Sequence, residues 1–109
     1  MSIESDLLRG SSAMLVLSLL KQEGNLYGYQ IIQLLQEKSG DVLLLKEGTL
    51  YPVLYKLEEE ELVSSHWMEI NGRKRRYYQI TPEGLKALDQ KEKKWQMFIF
   101  SIGRVLGHE

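Results

Sequence analysis

Four consecutive cations, Arg73-Lys74-Arg75-Arg76, follow directly on the pair Asn71-Gly72. Like charges this close repel one another, and a polyanion would relieve the repulsion. Each phosphate they neutralised would release condensed counterions, making the binding salt-dependent. The bland alternative is an edge strand guarded by charge. A second set lies upstream: Lys46, Gly48, Thr49, Tyr51, Pro52, Tyr55 and Lys56. The hydroxyls of Thr49, Tyr51 and Tyr55 can donate to phosphates or base edges, and tyrosine rings can pack on thymine methyls. Gly48 allows close backbone approach, while Lys46 and Lys56 add charge. Read blandly, these residues are the solvated face of an ordinary helix.

Other chemistries find little support. Glu58-Glu59-Glu60-Glu61 offers four carboxylates. Successive helical residues splay around the axis, so they do not converge on one ion. The run reads as a solvated helix end, and neither a metal nor a cofactor is expected. Cysteine is absent, and the two histidines, His66 and His108, lie far apart in the chain. There is no Gly-rich phosphate loop, HExxH or GxSxG pattern, so no enzymatic activity is expected.

The chain has 109 residues, the length of one ordinary domain, and 43% of them are hydrophobic, enough for a core. Formal net charge is −1, from 14 basic and 15 acidic residues. This argues against a nonspecific nucleic-acid coat and leaves open a binder whose cations gather on one face. The absence of cysteine fits a reducing cytoplasm. Met1 to Asp6 is acidic and polar, unlike a secretion signal. The longest uncharged stretch, Gly10 to Leu20, is about half a bilayer span.

The elements that must hold the cations and tyrosines follow from periodicity. Ser11 to Leu20 is apolar around most of a helical circumference and predicts a buried helix ending near Gly24. Gly28 to about Lys38 predicts a second helix, stopped by Gly40. A third begins near Gly48 or Thr49 and runs to about Glu61, with Leu50, Val53, Leu54 and Leu57 forming its buried stripe. With Thr49 as N-cap, Pro52 falls in the first turn, where a missing N–H costs little, so the helix is expected to start no earlier than about Glu47. Gly48, Pro52, Tyr55, Lys56 and Glu59 then face outward, flanked by Thr49 and Tyr51.

The period then changes. Val63 to Ile70 and Arg75 to Ile80 flank Asn71-Gly72, a strong hairpin signal, and predict two strands. Trp67 in the first of them is expected to pack between hairpin and helices. Thr81 and Pro82 suit the N-cap and first position of a last helix. In it Leu85, Leu88, Glu92, Trp95, Ile99, Ile102 and Leu106 step by threes and fours, a heptad seam broken only by Glu92. A symmetric dimer would bring two Trp95 indoles near its axis. They would either sandwich a flat aromatic ligand or simply form dimer core. Met14, Leu88, Glu92, Trp95, Ile99 and Ile102 are the candidate residues for that ligand site or interface. Gly103 and Gly107 are expected to mark fraying or close helix contact.

Three helices followed by a hairpin is the winged helix-turn-helix order. The expected fold is α+β, mostly helical, with a two-stranded wing and a C-terminal dimerisation helix. Residues 1–81 would form the DNA-binding domain and 82–109 the dimerisation helix, in one compact unit.

The runs Tyr27-Gly28-Tyr29-Gln30-Ile31, Glu47-Gly48-Thr49-Leu50-Tyr51-Pro52-Val53-Leu54, Lys56-Leu57-Glu58, Gly72 to Tyr78 and Ile80-Thr81-Pro82-Glu83-Gly84 resemble the PadR-like transcriptional regulators. The resemblance covers about residues 8 to 106. It implies the short form of that family and repression at palindromic operators, often beside the regulator's own gene. It places Thr49, Tyr51 and Lys56 on the recognition helix and Arg73 to Arg76 on the wing. It also implies, as in some short members, a flat aromatic ligand between paired tryptophans, here Trp95. Two positions depart from the pattern: Glu61 stands where the family usually has glycine, and Glu92 interrupts the seam. The expected partners are double-stranded DNA, a second copy of the chain and a flat hydrophobic small molecule, with no membrane. The competing expectation is a ligand-sensing or protein-interaction module of the same fold without DNA binding.

Overall fold

The computed structural model describes Ile3 and residues 8–108. The reading of Met1 to Asp6 as no secretion signal therefore lies, apart from Ile3, outside the described residues. The element order is α1 Ser12–Glu23, β1 Leu26–Tyr27, α2 Gly28–Lys38, α3 Glu47–Glu59, β2 Val63–Ile70, β3 Arg73–Ile80 and α4 Pro82–Val105. This is a winged helix, α+β and mostly helical.

α1 lies at the centre, packed against α2, α3, α4 and β3. Its Val16, Leu17, Leu19 and Leu20 are buried, as an apolar circumference requires. Ile31 and Leu35 of α2, Leu50, Leu54 and Leu57 of α3, Val63, Tyr78 and Leu88 complete the core. Ser12 anchors the start of α1 by donating to the Leu8 carbonyl at 2.6 Å. Gly24, with φ 87°, ends the helix. Ile3 is bridged in parallel to Leu43 in the link between α2 and α3.

The hairpin pairs in full register from Val63↔Ile80 to Ile70↔Arg73. Asn71 and Gly72 turn it with φ 53° and 78°, the left-handed pair that matches strand twist. The sequence reading needs one correction here. The sheet has three strands among the described residues, in the order β1-β3-β2. Leu26 and Tyr27 pair antiparallel with Tyr78 and Tyr77 and fasten the inner half of the wing to the turn before α2. β3 also begins at Arg73, two residues before the expected Arg75.

A second correction concerns α3. Its N-cap is Lys46, not Thr49, so Pro52 sits inside the helix, beyond its first turn. Pro52 removes one helical hydrogen bond, to the Gly48 carbonyl four residues back. Gly48 and Pro52 both lie on the exposed face, where water can serve that carbonyl. The helix closes at Glu59 with a Schellman turn in which the Leu62 amide donates to the Leu57 carbonyl at 2.9 Å and the Glu61 amide to Glu58 at 3.0 Å. Glu61, at φ 62°, occupies the left-handed position of that turn.

Thr81 caps α4 by accepting from the Gly84 amide at 3.0 Å, and its own hydroxyl donates to the Glu61 carbonyl at 2.8 Å. The end of α3 and the start of α4 are thus tied through one side chain. Gly84 is buried there, and a Cβ would run into the Leu62 carbonyl and the Ile80 side chain. Gly107, at φ 88°, caps the far end of α4, where the His108 amide donates to the Gly103 carbonyl at 2.7 Å.

Candidate nucleic-acid interface

α3 buries Leu50, Leu54 and Leu57 and half-buries Val53, which turns the opposite face outward. Lys46, Gly48, Pro52, Tyr55 and Lys56 are exposed, with Thr49 and Tyr51 half-buried beside them. Tyr55 is the more open of the two α3 tyrosines, at 58% exposure. Tyr51 leans back, its ring lying against Gly28, where an added Cβ would come within 2.8 Å of the ring's Cζ. Gly28 is therefore glycine because the Tyr51 ring occupies its side-chain space. The Tyr51 and Tyr55 rings stand 6.1 Å apart. Burial, then the nearby Glu47 carboxylate, holds the Tyr51 phenol above its usual pKa, so it remains a neutral donor.

The wing arranges its cations in two ways. Arg73 and Lys74 are exposed beside the turn, whereas Arg75 and Arg76 are half-buried. The Arg75 guanidinium lies 4.4 Å from the centre of the Tyr27 ring, a cation–π contact. Arg76 is held on two sides. Its guanidinium is 3.6 Å from the Glu58 carboxylate, and it lies 5.7 Å from the centre of the Trp67 ring. The same Glu58 oxygen accepts from the Ser65 hydroxyl. Glu58 is thus no idle member of the acidic run, because it couples the end of α3 to the wing. Glu59, Glu60 and Glu61 are exposed, as expected of a solvated end.

Between α3 and the wing runs an open groove of about 660 Å³. Tyr51 and Tyr55 line one side, and Arg73, Arg75 and Arg76 the other. Trp67 borders it and is 61% exposed, so it does not pack between wing and helices as its sequence context predicted. Strand alternation gives the reason: Trp67 shares a face with Val63 and Tyr78, but it lies too far out along the hairpin to reach the helices. The groove also includes Tyr27, Tyr29 and Tyr78, none of which was singled out from the sequence. Alternation from the buried Val63, paired with the half-buried Ile80, could have assigned Tyr78 to the inner face.

The residues expected at a ligand site or interface are dispersed. Leu88 is 2% exposed and belongs to the chain's own core, so it is covered before any second copy arrives. Met14 and Trp95 are half-buried and line a cleft of about 440 Å³ between the start of α1 and α4. Phe98 joins them, 5.5 Å from Trp95 between ring centres, with Lys91 and Lys94 also on the cleft wall. Glu92, Ile99 and Ile102 are exposed farther round or along α4. Among the described residues no group of histidines, aspartates or glutamates is placed to hold a metal ion. No described helix is long and apolar enough to cross a membrane.

The family model described as the transcriptional regulator PadR-like family matches residues 16–90, from the central helix into α4. The chain belongs to the PadR-like family of transcriptional regulators. A solved transcriptional regulator from Clostridium thermocellum is 37% identical, with TM-score 0.84 over 92% of this chain and 97% of that one. A PadR family regulator from Eggerthella lenta is 34% identical, with TM-score 0.80 over 93% of this chain and 86% of its own. An uncharacterised protein of Lysinibacillus sphaericus is 33% identical over 85% of each chain.

Proposed function

We propose that this PadR-like regulator is a cytoplasmic repressor that binds a palindromic operator as a homodimer. The observation that carries the reading is the shared groove, with α3 tyrosines on one wall and wing arginines on the other. A helix of α3's diameter fits the major groove, and an adjoining hairpin reaches the backbone. Thr49, Tyr51, Tyr55 and Lys56 take base edges and flanking phosphates, with Lys46, Gly48 and Pro52 at the close approach. Arg73 to Arg76 take the phosphate backbone.

Residues 1–81 read the duplex, and 82–109 pair the two copies. Ile99 and Ile102 of α4 and Leu106 at its C-cap are exposed apolar residues continuing the seam, and Val105 beside them is 87% exposed. A second copy of α4 covers this face, setting two α3 helices about one DNA turn, roughly 34 Å, apart. The Trp95 cleft takes a flat hydrophobic effector, which shifts regulation only by binding one spacing of the two α3 helices better than the other.

The test is a gel shift on the DNA upstream of the protein's own gene. The wild-type chain retards that fragment. Tyr51→Ala and Tyr55→Ala each weaken binding about tenfold, the worth of one good base contact, while thermal melting stays cooperative. Two variants that bind as the wild type does would remove α3 from the interface. A wild-type chain that retards no duplex would leave a sensing module of the same fold.

A further inference from the structure

We propose that Tyr78 and Arg76 together seat one phosphate of the bound strand in the groove, with Glu58 holding Arg76 in position. The inference rests on the DNA-binding reading above and assigns a specific grip within it. Tyr78 is only 2% exposed, and its hydroxyl has no hydrogen-bond partner among the described residues. Native structures rarely leave a buried hydroxyl so, and one that lines a groove points to a ligand atom. Burial, then the neighbouring Tyr55, raises the phenol above its usual pKa. The group therefore offers a proton and no negative charge to an approaching oxygen.

Arg76 lies two residues back on the same strand face and lines the same groove. Its anchoring by Glu58 at 3.6 Å and by the Trp67 ring has already spent the side-chain entropy that binding would otherwise cost. A phenol O–H and a guanidinium on one phosphate are both charge-assisted donors, the strong kind. The occupant is the DNA backbone because Arg73 and Arg75, which leave the strand on the opposite face from Arg76, also border the groove and extend its positive charge, as a run of successive phosphates requires. Glu58 touches no phosphate; it is a positioning residue acting through Arg76.

The experiment is fluorescence anisotropy with a labelled random-sequence duplex at low salt, because phosphate grips ignore sequence. Tyr78→Phe is expected to weaken binding about tenfold with its salt slope unchanged, since the phenol carries no charge. Arg76→Gln weakens binding and lowers the slope by about one. Glu58→Gln weakens binding several-fold in the wild-type background and has no further effect once Arg76 is glutamine. Tyr78→Phe binding as tightly as the wild type would overturn the grip and leave the DNA-binding reading standing. A wild-type chain that binds no duplex would overturn both. Should Tyr78→Phe not fold, the Glu58 and Arg76 pair decides, and additive losses in the double variant overturn the proposal.

Discussion

Glu61 holds a left-handed backbone, φ 62°, at the position of a helix-ending turn where glycine suffers no Cβ penalty. Glu61→Gly should therefore raise stability by about 0.5–1 kcal/mol, seen as a higher denaturant midpoint with an unchanged slope. Gly84 presents the opposite case. A Cβ there meets the Leu62 carbonyl and Ile80, so Gly84→Ala should cost about 2–3 kcal/mol in the same measurement. The two residues sit on either side of the Thr81 tie, and only one of them is glycine. Sequence marked Glu61 as a departure from the resemblance, but Gly84's crowding comes from strands and helices meeting in space. Tyr78 was equally hidden, because a tyrosine in an alternating strand looks the same whether or not its hydroxyl has a partner.

The wing's turn and strands were legible because Asn-Gly and the flanking β-branched and aromatic runs act locally. β1 was not, since Leu26-Tyr27 is too short to show a period and its partners lie far along the chain. Pro52 misled for a related reason. Local rules place proline in a first turn, but the buried stripe of Leu50, Leu54 and Leu57 holds the helix from Glu47 regardless. The outward tyrosines and the cationic tip were readable, whereas the Glu58, Ser65 and Arg76 contacts that join α3 to the wing required coordinates. At this scale the wing's role is tested by charge. Replacing Arg73, Lys74, Arg75 and Arg76 with glutamine should flatten the logarithmic salt dependence of duplex binding by about three to four. An unaltered slope would take the wing off the contact surface.

For the molecule as a whole, α4 is the element least accounted for by a single chain. It runs 24 residues, about 36 Å, and is buried only at Gly84 and Leu88. Ile99→Glu with Ile102→Glu should leave the helical signal and the core intact and convert the protein to a monomer in sedimentation. Operator affinity should fall at least tenfold, since two linked reading heads become one. A monomeric wild type would refute the pairing. The fastening by β1 divides the hairpin at the same place as its charges. Its inner half, at Tyr77 and Tyr78, is stitched on both edges, while the stretch from Trp67 to Arg76 is paired on one edge only. The compliant part of the finger is therefore also the part carrying the cations. Amide protons at its root should exchange slowly and those at its tip quickly, and the tip alone can flex to follow a duplex whose width varies with its sequence.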